Sequence, residues 1–258
     1  MHSSQYNDLI TYFLNSIKTI FTVVLVALLA LSTYKYFQKP PQMEKAPDQS
    51  GAMMKQEPKN VDTAMNVPPG AVKYAVDPSA SKIEWSSEKK LIDWKHNGTV
   101  AIKSGDLYKV TDSTKGDLVM GMVIVDMNSI VGLDANSNPT LIGHLKSPDF
   151  FDVATYPTAT LQFTAVPETP GSVSDKPTTS YKATGMLTIH GKSNPVEFTV
   201  TSEETPTGMV TGTTDLVVDR TKYDVKFGSQ AFFSLEKLGN NLIVDEIPLK
   251  ITLSAKKG

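Results

Sequence analysis

The chain has no cysteine in 258 residues, one arginine (Arg220), four histidines and little charge imbalance, its formal net charge being −2. Without cysteine there is no thiol nucleophile, no thiolate zinc site, no iron–sulfur cluster and no lipid attached through an N-terminal cysteine. The compartment stays open, because envelope proteins without disulfides are common. Near-neutral charge argues against nucleic acid as a partner, since phosphate recognition needs a basic stripe that releases counterions. The remaining composition, 40% hydrophobic and 20% charged, is that of an ordinary globular protein.

Familiar catalytic and ligand motifs are also missing. There is no G-x-S-x-G elbow. GMLTIHGKS (residues 185–193) has five residues between its glycines where a phosphate loop needs four, and it lies in a strand pattern. Asp134, Asn136 and Asn138 begin like a calcium loop, but Pro139 stands where the sharp turn needs glycine and Leu145 where a bidentate glutamate belongs. His2, His96, His144 and His190 show neither the i,i+4 helical spacing nor the neighbouring carboxylates of a metal site. No metal, cofactor or catalytic residue is expected on this reading.

The one long apolar run is TIFTVVLVALLALSTY, residues 19–34, preceded by the amphipathic LITYFLNSI of residues 9–17. A bilayer core about 30 Å thick needs roughly 20 apolar residues, so a retained N-terminal hydrophobic helix would have to extend to about Phe37. The alternative is a signal peptide, with Lys18 closing its basic region and Ala30-Leu31-Ser32 supplying small residues for cleavage. Lys35, Lys39 and Lys45 follow the run and by positive-inside counting favour a cytoplasmic C-terminal part. Residues 38–70 carry Pro40, Pro41, Pro47, Pro58, Pro68 and Pro69 with no period of 2 or 3.6, and read as a disordered linker. The expected organisation is an anchor or signal segment at 1–37, a linker at 38–70 and a folded domain at 71–258.

From residue 71 the period becomes 2. Ten segments alternate or are rich in β-branched residues: 73–76, 82–86, 98–103, 106–111, 117–127, 159–166, 181–189, 196–201, 208–218 and 247–255. So many strands with turn residues between them predict an all-β domain, an antiparallel barrel or sandwich. The one helix signal is NPTLIGHL (residues 138–145), with Asn138 as N-cap and Pro139 at the first helical position. In DLVMGMVIVDM (residues 117–127) residues of both parities are apolar, so one face must be a packed core or a lined cavity. Ten Met, ten Phe and both tryptophans, Trp85 and Trp94, supply a bulky lining. A solid core and a lined cavity both fit this pattern.

HLKSPDFFDVATYPTATLQF (residues 144–163), with IEW (83–85), GTVAIKSG (98–105), VDMNSI (125–130), TGMLTIHG (184–191), DRTKY (219–223) and LKITLSAK (249–256), resembles the YceI-like family of envelope lipid-binding barrels. The resemblance runs in order over about residues 72–257. It implies a lipocalin-like antiparallel β-barrel of about eight strands. Its interior would hold a polyisoprenoid or similar long-chain amphiphile, an isoprenoid quinone or prenyl phosphate, without chemistry upon it. Phe150, Phe151, Tyr156 and Phe163 fall on the signature and are expected to line or close the tunnel, or else to pack the barrel end. His190 and Arg220, with Tyr223 beside them, are head-group candidates, although Arg220 could equally form a turn ion pair with Asp224. Trp85, Trp94 and His144 complete the candidate ligand-binding set, and Trp94-Lys95-His96-Asn97 departs from the glycine-rich stretch expected there. The resemblance further implies a place outside the cytoplasmic membrane, periplasmic or otherwise extracytoplasmic, either tethered to the inner membrane or secreted. A homodimer stays open. The competing readings are a solid-core structural or interaction module and an enzyme acting on a hydrophobic substrate through His144 or His190.

Overall fold

The computed structural model describes residues 65–112, 116–135, 137–169 and 178–258. The predicted anchor and nearly all of the predicted linker, residues 1–64, lie outside the described residues. No described helix is long and apolar enough to cross a membrane.

Nine strands follow in order: β1 (Val72–Val76), β2 (Lys82–Glu88), β3 (Lys95–Asp112), β4 (Gly116–Gly132), β5 (Thr158–Pro167), β6 (Thr178–Ile189), β7 (Lys192–Glu204), β8 (Met209–Asp219) and β9 (Glu246–Lys257). All pairings are antiparallel. The spatial order runs β3-β2-β9-β8-β7-β6-β5-β4, and β4 returns to β3 to close the cylinder. β1 and β2 together make one stave, because both pair with β3 and β9, β1 near one end and β2 near the other. Nine strands therefore build an eight-stave closed antiparallel barrel. Closure leaves no edge to aggregate.

The ten sequence segments become nine strands because 98–103 and 106–111 are one strand. Ser104 and Gly105 read as a turn, but the β3–β4 register shifts between Ile102 and Ser104 and again between Thr99 and Ala101. These irregularities bend the strand while pairing continues, which is what a β-bulge does. On the β4 side Ser129 Oγ accepts from Ala101 N at 2.6 Å and donates to the Asp126 carbonyl, holding the looped-out residues in place.

The barrel ends differ. At the hairpin end lie the β3–β4, β5–β6 and β7–β8 connections. At the other, capped end two long connections cover the opening. The first contains helix α1 (Pro139–Lys146), whose N-cap Asn138 accepts from Leu141 N at 3.0 Å, as its sequence signal requires. It continues through a turn held by Phe151 N and Val153 N donating to the Leu145 and Lys146 carbonyls. The second, between β8 and β9, carries a 3-10 turn at Arg220–Tyr223 and a one-turn helix, α2 (Leu235–Leu238), that the sequence patterning does not announce. The β6–β7 turn is the pair His190 and Gly191 at φ 51° and 68°, both left-handed, as a two-residue hairpin needs.

Candidate functional site: an apolar cavity along the barrel axis

A two-residue side-chain period aims alternate residues of every stave at the lumen. Because those positions are Val, Ile, Leu, Phe and Ala in most strands, the inside is greasy throughout. It is not filled. A cavity of about 260 Å³ is lined by all eight staves, from Val119, Tyr181, Ser202 and Val210 toward the hairpin end to Phe150, Phe151, Tyr223 and Val225 at the capped end. The solid-core alternative therefore does not describe this barrel. Among the described lining residues Ser87, Ser202, Thr214, Tyr181, Tyr223, Arg220 and Trp85, whose indole N–H donates to the Thr99 carbonyl at 3.3 Å, bring polar side-chain atoms, and none is a carboxylate, lysine or histidine.

Glycine opposite aromatic residues helps to keep the lumen open. Gly98 pairs with Trp85, and a Cβ on Gly98 would sit 1.9 Å from the Val131 carbonyl oxygen and 2.5 Å from the Trp85 ring. Phe163 has glycine on both sides, Gly121 on β4 and Gly185 on β6. A Cβ on Gly121 would lie 2.5 Å from the Phe163 ring. The rings of Trp85 and Phe163 thus lie back on bare backbone, a cross-strand pairing of aromatic with glycine. Phe163 also meets Phe198 edge-on at 5.9 Å.

Six of the ten residues singled out from sequence border the cavity: Trp85, Phe150, Phe151, Phe163, Arg220 and Tyr223. The other four do not. Trp94 is 42% exposed and donates to His96 Nε2 at 2.6 Å, while His96 Nδ1 lies 3.2 Å from Asp134 Oδ1. His144 is exposed on α1, edge-on to Phe227 at 6.2 Å. Tyr156 packs edge-on against His190 at 4.8 Å, and His190 Nδ1 is hydrogen-bonded to the Tyr223 carbonyl at 3.0 Å. His190 thus fixes the β6–β7 turn to the cap, and neither His144 nor His190 faces the lumen in the way acid–base chemistry inside it would require.

Arg220 is 2% exposed and fully engaged. Nε donates to the Val244 carbonyl at 3.2 Å, Nη1 to Val225 and Phe227 at 3.1 and 2.7 Å, and Nη2 to Ile243 at 3.3 Å. Nη2 also lies 2.9 Å from Asp245 Oδ1, as a charge contact out of line for a hydrogen bond. The ion-pair partner is therefore Asp245 rather than Asp224, which pairs with Lys226 at 2.8 Å. Burial lowers the Arg220 pKa, with Asp245 and Asp219 opposing that shift. With its donors spent on the cap, Arg220 is a staple for the β8–β9 connection.

A polar group that the sequence reading missed sits at the hairpin end. Lys109 of β3 reaches across to β7, where Nζ lies 3.0 Å from Glu204 Oε2, and it is 3.6 Å from Asp117 Oδ2 of β4. Tyr74 of β1 offers its ring 5.8 Å from the same ammonium. Burial opposes the charge on Lys109, but the hydrogen bond to Glu204 and the nearby Tyr74, Glu204 and Asp117 more than offset it, so its pKa is raised. Tyr181 of β6 belongs to the same group: burial first, then Asp117, raises its pKa. The signal was present in the alternation, since Lys109, Asp117 and Glu204 have the parity of the lumen residues Leu107, Val119 and Ser202. Charged residues near strand ends read by default as solvent-facing.

Solved structures similar to this chain include Burkholderia cenocepacia BcnA, 24% identical, matched over 69% of this chain and 98% of its own, with a TM-score of 0.48. A polyisoprenoid binding domain from Saccharophagus degradans implicated in plant cell wall breakdown is 15% identical, with 72% of this chain and 99% of that one covered and a TM-score of 0.52. A Campylobacter jejuni YceI protein that crystallizes with large solvent channels is 19% identical over 61% of this chain and 83% of its own, with a TM-score of 0.42. The Saccharophagus domain carries the likeness of fold. No curated protein matches the chain. The family model described as the YceI-like domain matches residues 74–255, which take in all of the closed barrel but the first two residues of β1 and the last two of β9, together with both connections of the capped end, and the chain belongs to that family.

Proposed function

We propose that the barrel binds a polyisoprenoid or similar long-chain amphiphile in its interior and sequesters or carries it without chemical change. The observation that carries this reading is the nearly wholly apolar cavity running from cap to hairpin end. About 0.8 kcal/mol accrues per buried CH₂, so each isoprene unit adds a few kcal/mol at most and a long chain can be held without polar contacts. The Saccharophagus relative, a polyisoprenoid binding domain, supports the same ligand class. Among the described lining residues the ionisable groups are two tyrosines and the fully engaged Arg220, a lining suited to holding an apolar chain. The proposed place of action is the extracytoplasmic side of the cell envelope, reached through residues 1–37 as anchor or signal. Protease treatment of intact spheroplasts tests that placement, and protection of the barrel until lysis overturns it.

The decisive experiment for the ligand is mass spectrometry of an organic extract of the protein, purified mildly from its own membranes. The expected result is one isoprenoid in near-stoichiometric amount. An empty, stable barrel that takes up no isoprenoid on addition overturns the reading.

A further inference from the structure

Resting on the carrier reading, we infer that the ligand's polar head lies at the hairpin end, against Lys109, Asp117, Glu204 and Tyr181, and that this site selects an uncharged head over a phosphorylated one. The location follows from where polar atoms are left to meet a ligand. At the capped end the guanidinium of Arg220 is consumed by the carbonyls of Val225, Phe227, Ile243 and Val244 and by Asp245, and the surrounding lining is Phe150, Phe151, Val225 and Tyr223, whose uncharged hydroxyl is set against the charged group at the other end. At the hairpin end three staves bring the charged side chains of Lys109, Asp117 and Glu204 together, Tyr181 of a fourth stave lines the cavity at the same end, and β1 adds the Tyr74 ring. The cavity lining reaches Tyr181, Val119 and Ser202; Asp117 and Glu204 are the next lumen-facing residues beyond the last two. The Lys109–Glu204 contact spans opposite staves, β3 and β7, and so lies across the axis that a ligand chain would follow.

The selectivity follows from charge. Among the described residues of this group two carboxylates face one ammonium, so the group is net negative, and Lys109 has its positive charge paired with both. A phosphate brought there meets like charge and must first break the Lys109 pairs, which is costly at a partly desolvated site. A hydroxyl or quinone head needs only a hydrogen bond, which the Tyr181 hydroxyl and the Lys109 ammonium can supply.

The test compares binding of nonaprenol, a nonaprenyl benzoquinone and nonaprenyl phosphate to the delipidated full chain. The expected ranking places the phosphate at least about tenfold weaker than the two neutral ligands, as like-charge juxtaposition demands. In the Asp117→Asn/Glu204→Gln variant that gap should close, while Asp106→Asn, which breaks only the outward-facing pair with Lys73, should leave it unchanged. Phosphate binding as tightly as the alcohol in the wild type overturns the inference with no variant needed. So does a photoreactive head group that crosslinks to Phe150 or Tyr223 rather than to Tyr181 or Glu204. Binding of none of the three ligands overturns the carrier reading itself, an outcome distinct from either of these.

Discussion

The guanidinium of Arg220 holds together backbone from both halves of the β8–β9 connection, four carbonyls and one carboxylate in all. Removing it leaves buried acceptors and the Asp245 charge without partners, and breaking a buried pair in this way costs on the order of 3–5 kcal/mol. Arg220→Met should lower unfolding stability by that amount in urea titration, and Arg220→Lys should recover little, since an ammonium lacks the planar fork. A loss below about 1 kcal/mol would show that the cap is held by other contacts. Gly121 tests the wall of the lumen at the same scale. In Gly121→Val the new side chain displaces the Phe163 ring from the backbone. Overpacking of this kind costs about 1–3 kcal/mol. The ring then has only the lumen to enter, so ligand affinity should fall by more than the stability loss alone explains. Isothermal titration with a neutral isoprenoid separates the two effects, and an unchanged affinity would place the ligand away from Phe163.

Among the elements, the break between β1 and β2 is where one stave is made from two strands. Asp77 organises it, accepting from Ser79 N at 3.1 Å, Ser79 Oγ at 2.6 Å and Ala80 N at 3.3 Å, and from Lys256 Nζ of β9 at 2.8 Å. The hydrogen bond from Lys256, followed by that from Ser79, holds the Asp77 pKa well below the usual aspartate value. A depressed folded-state pKa stabilises the fold above the unfolded value of about 3.9, and this contribution fades as the pH falls through the folded one. The stability gap between wild type and Asp77→Asn should therefore be constant from neutral pH to about pH 5 and narrow below about pH 4. A gap that widens on acidification contradicts the assignment. Helix α1 behaves as its cap dictates: Asn138→Ala should cost about 1 kcal/mol, read by thermal unfolding. That helix was legible because capping is local, one side chain meeting a backbone N–H three residues on. The bulges in β3 were not legible, because Ser104-Gly105 means a turn or a bulge according to whether β4 continues alongside.

At the scale of the whole molecule, closure makes stability and binding one measurement. A ligand that enters only the closed barrel stabilises it by RT ln(1 + [L]/Kd), about 2.7 kcal/mol at a hundredfold excess over Kd. Delipidated barrel should accordingly gain several degrees in Tm when a neutral long-chain isoprenoid is added. An unchanged Tm at saturating lipid would count against a ligand held inside the closed barrel.

The class of fold was legible along the chain, because side-chain period and turn residues are read locally, and so was the order of motifs that marks the family. The sequence also located the aromatic residues of the 144–163 stretch, of which Phe150, Phe151 and Phe163 border the cavity. What the polar residues do became visible in the folded barrel alone. Arg220 and His190 had the chemistry of head-group ligands, yet both are spent on fixing the cap, since a buried donor is engaged by whichever carbonyls the chain brings near it. Lys109, Asp117 and Glu204 meet although Glu204 lies on β7, across the barrel from Lys109 on β3. Their contact exists only because eight staves close on themselves, and closure is a property of the whole sheet rather than of any stretch of sequence.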